Sequence, residues 1–336
     1  MIIQLKPSIS ESQKEKITNR VEALSYKITE VITQENNYLV GVGKQDIDLR
    51  QIGQMDGIQD IYKVSDDYKL VSRKWKIDPT VIDLGDDVKI GEGHFTMMTG
   101  PCSIENEEQV VKMIGHLKDL GIKIMRGGVY KPRSSPYSFR GLGIDGLKMW
   151  YKHAKEAGIK IISEVMQVSQ IEPMYDYIDI YQVGARNTQN FNLLDELGRV
   201  DKPVLIKRGI SGTVDELLYS AEYVFSAGNE KLMLCERGIR TYETATRNTL
   251  DLNAIPVLKE KSHLPVIADP SHAIGIRKYV EAIALGCVMA GADGIIYESH
   301  YSPEEAYSDG QQTLNFKEST DLVRKMKLTH DLKSGF

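Results

Sequence analysis

Six cations in this sequence, Arg126, Lys131, Arg133, Arg186, Lys207 and Arg237, each stand at or just past the end of a short apolar run. Arginine pairs two-pronged with phosphate or carboxylate, and lysine adds a compact charge. Six exceed what one phosphate needs, whereas two phosphates and a carboxylate would use them all. The chain as a whole carries a net charge of −5, so this basic set runs against the global balance. A small polyanionic substrate fits that pattern, and nucleic acid, which asks for a broad basic face, does not. The plainer alternative is six unrelated surface cations in salt bridges; their common phase at the ends of apolar runs argues against it.

A second set holds one thiol, one imidazole and two carboxylates: Cys102, His272, Glu298 and Asp309. That mixture suits one divalent metal ion of the Mn, Fe, Co or Zn type and is too soft for Mg or Ca. Each member has a simpler reading when taken alone. Cys102 could be a small buried hydrophobe, as Cys235 and Cys287 read; His272 a capped loop histidine; Asp309-Gly310 a turn. What favours a site is convergence, and convergence depends on the elements that carry these residues.

Eight short β-branched runs supply them: 95–100, 122–127, 159–165, 178–184, 203–209, 231–237, 264–270 and 294–300. Amphipathic stretches lie between, at 107–120, 146–157, 214–227 and 278–290, most of them closed by a glycine such as Gly121, Gly158 or Gly228. Eight continuously apolar strands alternating with helices predict a parallel (β/α)8 TIM barrel. An open doubly wound sheet is the competing arrangement, though it rarely needs eight units. In a barrel the active site lies at the C-terminal strand ends. Those ends carry Cys102, Arg126, Glu164, Arg186, Lys207, Arg237, Asp269 and Glu298, and closure makes strands 1, 7 and 8 neighbours.

Ahead of the barrel, residues 1–65 read as strand, helix, strand, strand, helix, strand, with Asn36-Asn37 turning the central hairpin. That βαββαβ order predicts a small ferredoxin-like domain. Residues 66–85 are polar and Asp-containing and read as a linker, leaving 86–336 for the catalytic barrel. A hairpin from TVIDLG and VKIGEG is expected to close the barrel floor. With 41% apolar and 26% charged residues, the composition is that of an ordinary globular protein. The opening residues do not read as a secretory signal, no apolar run nears 18 residues, and three cysteines do not form a disulfide framework. These features predict a cytoplasmic protein without membrane or nucleic-acid partners.

The motifs GPCS (100–103), RGGVYKPRSSPYSFRGLG (126–143), QVGARN (182–187), LIKRG (205–209), LCERGIRTYETATRNTLDL (234–252), ADPSHAIG (268–275) and SDGQQ (308–312) together resemble 3-deoxy-D-arabino-heptulosonate 7-phosphate (DAHP) synthase. The form resembled is the type I β subclass, with a ferredoxin-like domain ahead of the barrel. The resemblance implies condensation of phosphoenolpyruvate with erythrose 4-phosphate and water, releasing phosphate, at the entry to the shikimate pathway. It implies Cys102, His272, Glu298 and Asp309 as metal ligands. Arg126, Lys131, Arg186, Lys207 and Arg237 would bind phosphoenolpyruvate, with Asp269 beside them. Lys131, Pro132, Arg133 and Ser134 would bind erythrose 4-phosphate. Lys131, Glu164, Cys102 and His272 would form the catalytic group. It further implies a homotetramer and an aromatic amino-acid effector acting through the N-terminal domain, which the polar linker would leave free to move relative to the barrel mouth. The nearest rival is the synthase of 3-deoxy-D-manno-octulosonate 8-phosphate, whose usual Lys-Ala-Asn-Arg-Ser-Ser motif differs from Lys-Pro-Arg-Ser here.

Overall fold

The computed structural model describes residues 1–44, 47–132, 135 and 137–336. The chain begins with β1 (Ile2–Leu5), α1 (Glu11–Glu22), β2 (Lys27–Ile32), β3 (Asn37–Val42), α2 (Arg50–Gly53) and β4 (Ile58–Tyr62). These strands form one antiparallel sheet in the order β2-β3-β1-β4, the ferredoxin-like arrangement. α2 is a single turn, and ahead of it the Asp48 carboxylate accepts the Arg50 amide at 3.0 Å. The period of two divides the strands between two cores. Ile3, Leu5 and Leu39 face α1 and α2, while Ile2, Tyr38 and Val40 face the barrel.

The polar stretch after β4 is not a solvated tether. Tyr68, Leu70, Val71 and Trp75 are buried in it, and the Trp75 ring meets Tyr38 edge-on at 5.4 Å. Glu222 accepts the amides of Lys69, Leu70 and Val71 at 2.8–3.0 Å. Composition suggested a free connection because charged residues are interleaved with the apolar ones, yet Tyr68, Leu70, Val71, Trp75 and Ile82 turn inward while Ile77 and Val81 stay exposed. Then come β5 (Ile82–Asp83) and β6 (Lys89–Ile90), paired antiparallel. Ile82, Val88 and Ile90 pack into the barrel interior against Met98, Ile124 and Ile180. This is the hairpin expected at the floor.

The barrel strands are β7 (Thr96–Gly100), β8 (Ile124–Arg126), β9 (Lys160–Val165), β10 (Ile180–Val183), β11 (Val204–Lys207), β12 (Leu232–Glu236), β13 (Val266–Ala268) and β14 (Gly294–Glu298). They close in parallel, β14 pairing with β7. The helices are α3 (Glu107–Leu120), α4 (Gly143–Glu156), α5 (Ile171–Met174), α6 (Phe191–Leu197), α7 (Val214–Ser226), α8 (Ala254–Lys261), α9 (Pro270–Ile274), α10 (Arg277–Ala290) and α11 (Phe316–Ser334). Their ends follow local chemistry: Asn106 caps α3, Gly121 ends it in a left-handed turn, and Thr213 with Glu216 forms a capping box on α7. The N-terminal sheet docks at the floor end. Thr33 donates to Glu230 at 2.6 Å and Gln34 to the Val200 carbonyl at 3.3 Å, in the connections that lead into β12 and β11. No helix among the described residues is long and apolar enough to cross a membrane.

Candidate active site at the barrel mouth

The C-terminal ends of β7, β13 and β14 bring Cys102, His272, Glu298 and Asp309 together, their ligand atoms all within 4.8 Å of one another. Each arrives by a distinct local device. Gly100, at φ +156°, lets the end of β7 press on β8, where a Cβ would lie 2.0 Å from the Arg126 carbonyl; Cys102 follows two residues on. Glu298 is the last residue of β14. His272 sits in the short α9, begun by Asp269 as its cap. Asp309 holds a left-handed backbone at φ 55° ahead of Gly310, a conformation that aspartate tolerates better than most residues. Its Oδ2 accepts from Cys102 Sγ at 2.9 Å.

Donor chemistry and spacing both fit one divalent ion. Burial pushes the Cys102 thiol up to about 12, with the Glu298 charge adding to it and Lys131 opposing. Lys131 Nζ lies 3.0 Å from that sulfur, so a cation stands beside it along with the Asp309 carboxylate. Gly128 makes room for that lysine, since a Cβ there would meet its Cδ at 2.8 Å. Burial also raises the Asp309 carboxyl, but the Cys102 contact, His272, Lys131 and Arg247 prevail and hold it down to about 2. For His272 burial outweighs the pull of Asp269 and Glu298, so its pKa sits below the ordinary value and favours the neutral ring that a metal requires. Asp269 Oδ2 is 2.7 Å from His272 Nδ1, which puts the proton on Nδ1 and leaves Nε2, 3.3 Å from Glu298 Oε1, for the ion.

Beside this group a cleft is lined by Arg126, Lys131, Pro132, Glu164, Arg186, Lys207 and Arg237, so seven of the expected site residues meet there. Arg126 Nη1 is paired to Glu298 at 3.0 Å and Lys207 Nζ to Asp269 at 2.5 Å. Burial lowers the Arg237 guanidinium below its ordinary pKa. Glu164 reaches the cleft past Gly184, where a Cβ would lie 2.0 Å from its Oε1. Arg208, next to Lys207 on the strand, points the other way and pairs with Glu236 and Asp251 at 2.9 Å. Cys235 and Cys287 are buried in apolar cores, as expected.

Asp269, expected among the substrate-binding residues, spends Oδ1 on the His272 amide and Oδ2 on Lys207 and the His272 ring. It is 1% exposed and holds both Lys207 and His272. Arg133 and Ser134 lie outside the described residues. Sequence reasoning missed Arg240, Arg247 and Asn248, which line the cleft from the loop after β12. Their signal was the basic spacing within LCERGIRTYETATRN, which strand-end phasing does not weigh. It also missed Gln312, buried behind Glu298.

Comparison with known proteins places this geometry in a lineage. Residues 75–334 match the model of the DAHP synthetase I family. Over 332 residues the chain is 44% identical to phospho-2-dehydro-3-deoxyheptonate aldolase of Thermotoga maritima, covering 98% of each. A 2-dehydro-3-deoxyphosphooctonate aldolase from Syntrophobacter fumaroxidans is 30% identical over 259 residues, 72% of this chain and 89% of that protein. Among solved structures, a crystal structure of the Thermotoga maritima DAHP synthase superposes with TM-score 0.79 at 43% identity, covering 98% of this chain and 97% of that one. A truncated form of the same enzyme covers 79% of this chain with TM-score 0.74. This chain therefore belongs to the DAHP synthetase I family.

Proposed function

We propose that the protein is a metal-dependent DAHP synthase, joining phosphoenolpyruvate to erythrose 4-phosphate and water to give 3-deoxy-D-arabino-heptulosonate 7-phosphate and phosphate. The observation that carries this reading is the sharing of one mouth by a four-donor metal group and a ring of cations. Likeness to the heptonate aldolase extends over 98% of the chain at 44% identity, whereas likeness to the octonate aldolase covers 72% of it at 30%.

Cys102, His272, Glu298 and Asp309 would hold the ion. When bound, it supplies Lewis-acid polarisation of the aldehyde oxygen. Arg186, Lys207, Arg237 and Arg126 bind the phosphate and carboxylate of phosphoenolpyruvate and turn its C3 towards that carbonyl, supplying proximity. Lys131 lowers the cost of a thiolate at Cys102 and, with Pro132, Arg133 and Ser134, holds the aldehyde phosphate. As C3 attacks, C2 gains positive character and water adds there; Glu164 is the carboxylate placed in the cleft to accept its proton. Phosphate then leaves C2.

Three further readings rest on the fold and composition. Unpaired cysteines suit the reducing cytoplasm. The sheet's outer strand β2 exposes Ile32, an edge suited to pairing in a homotetramer, with an aromatic amino-acid effector seated where sheets meet. Docking of the sheet at the floor means that such an effector would act by displacing it, and millimolar tyrosine or phenylalanine should then slow the full-length enzyme. The direct test of the reaction compares phosphate release from phosphoenolpyruvate with erythrose 4-phosphate and with arabinose 5-phosphate, in chelator and after Mn2+ or Co2+. Metal-dependent release preferring the four-carbon aldehyde is expected. Preference for arabinose 5-phosphate would support the octonate reaction, and full activity in chelator would remove the metal.

A further inference from the structure

Gln312 is fully buried, and both ends of its carboxamide are committed. Nε2 donates to Glu298 Oε2 at 2.7 Å, while Oε1 accepts from Arg247 Nη1 at 2.9 Å. A guanidinium only donates, so the amide oxygen must face Arg247 and the amide nitrogen must face Glu298. The other Glu298 oxygen, Oε1, faces His272 Nε2 at 3.3 Å and Arg126 Nη1 at 3.0 Å. One carboxylate oxygen is thus turned to the donor group and the other is tied back. Arg247 itself lines the substrate cleft and reaches Asp309 Oδ1 at 3.4 Å. Its stem is seated on Gly275, the left-handed residue closing α9, where a Cβ would come within 2.6 Å of the Arg247 Cβ. The relay is therefore anchored to the helix that carries His272.

From this geometry we infer that Gln312 is a positioning residue for the metal centre, fixing Glu298 as a ligand through one oxygen, and that Arg247 orients Gln312 from the substrate side. The inference rests on the metal-binding reading of Cys102, His272, Glu298 and Asp309. Partners that orient metal ligands from behind typically change metal affinity by roughly tenfold to a hundredfold. Gln312→Met keeps volume but removes the donor, leaving Glu298 Oε2 without its partner and free to rotate. Arg247→Lys keeps the charge, at a partly exposed position, but loses the planar fork that sets the amide.

The experiment is a Co2+ titration of chelator-treated full-length protein without substrates, read by absorption, which reports affinity, thiolate ligation and ligand field together. The wild type should bind one Co2+ with a thiolate charge-transfer band. Gln312→Met should bind roughly tenfold to a hundredfold more weakly, keeping that band while its ligand-field bands shift; Arg247→Lys should show a smaller loss in the same direction. If Gln312→Met does not fold, Arg247→Lys carries the test alone. Wild-type affinity and spectrum in a folded variant would overturn the role of Gln312 and leave the metal site standing. A wild type that binds no Co2+ would overturn the metal site, and the inference with it.

Discussion

The two ends of the barrel each seat a histidine, half-buried at the mouth and buried at the floor, in opposite surroundings. At the mouth His272 lies between Asp269 and Glu298, within reach of Lys207, in a neighbourhood where Arg126, Lys131, Lys207, Arg237, Asp269 and Glu298 are all at most 8% exposed. At the floor His263 touches the edges of Trp75 and Phe225. Its Nε2 donates to the Leu70 carbonyl and its Nδ1 accepts from Thr80, each at 2.8 Å. Desolvation, with Lys76 and Arg73 nearby, pushes its pKa down to about 3. Burying ions costs several kcal/mol each unless they are well paired, and apolar replacements of buried pairs are often neutral or stabilising. The floor follows that economy, with one neutral ring inside an aromatic cluster. The mouth does not, and charge retained against its desolvation cost is the physical mark of a working site.

This contrast makes separable predictions. The largest effect on stability should come from the floor. Trp75→Ala removes the ring packed on Tyr38, Tyr62 and His263 and should cost about 3–5 kcal/mol in denaturant unfolding, while metal affinity at the mouth stays at the wild-type value. A matching loss of metal affinity would mean that the two ends are not independent.

Next in size are the cations. Arg186→Ala should lower kcat/KM for phosphoenolpyruvate roughly tenfold to a hundredfold, as for a lost charge-assisted contact of about 1.5–3 kcal/mol, with metal affinity unchanged. Lys207→Ala should lower both, since Lys207 also holds the carboxylate that orients His272. Steady-state kinetics beside a metal titration separates the two patterns, and identical behaviour would dissolve the distinction between substrate binding and support.

The smallest effect is a pH dependence. His263 has a folded pKa near 3 against an ordinary 6.5, so the unfolded chain binds the proton more readily. Its contribution to stability is therefore complete above pH 6.5 and is lost as pH falls, by at most about 1.4 kcal/mol per unit. Unfolding free energies between pH 6.5 and 5, above most carboxylate titrations, should fall more steeply for the wild type than for His263→Gln. Parallel slopes would show that the ring takes up its proton alike in the folded and unfolded chain.

Much of this was legible in the residues alone. Strand ends were readable because eight apolar runs stop at charged or glycine residues, and that phase put Cys102, Arg126, Glu164, Lys207 and Glu298 on one face. Gly121 marked the C-terminal end of α3. Residues whose position depends on a loop path gave no such phase: Arg240 and Arg247 lie between β12 and α8, and Gln312 follows Asp309 in a segment without periodicity. For Asp269 the residue type says only carboxylate, and geometry adds that Lys207 and His272 use both oxygens. The docking of residues 66–85 was hidden for a related reason. Trp75 sits among lysines, and nothing local reveals that Tyr38 and His263 await it.

The central claim is that one mouth holds both the metal and the anions, and a crystal grown with Zn2+ and phosphoenolpyruvate, with anomalous data collected at the zinc edge, tests it most directly. The account predicts one ion about 2.3 Å from Cys102 Sγ and about 2.0–2.2 Å from His272 Nε2 and the Glu298 and Asp309 oxygens, with the phosphoenolpyruvate phosphate against Arg186 and Lys207. An ion that leaves Cys102 and His272 unliganded, or phosphoenolpyruvate bound away from that ring, would contradict it.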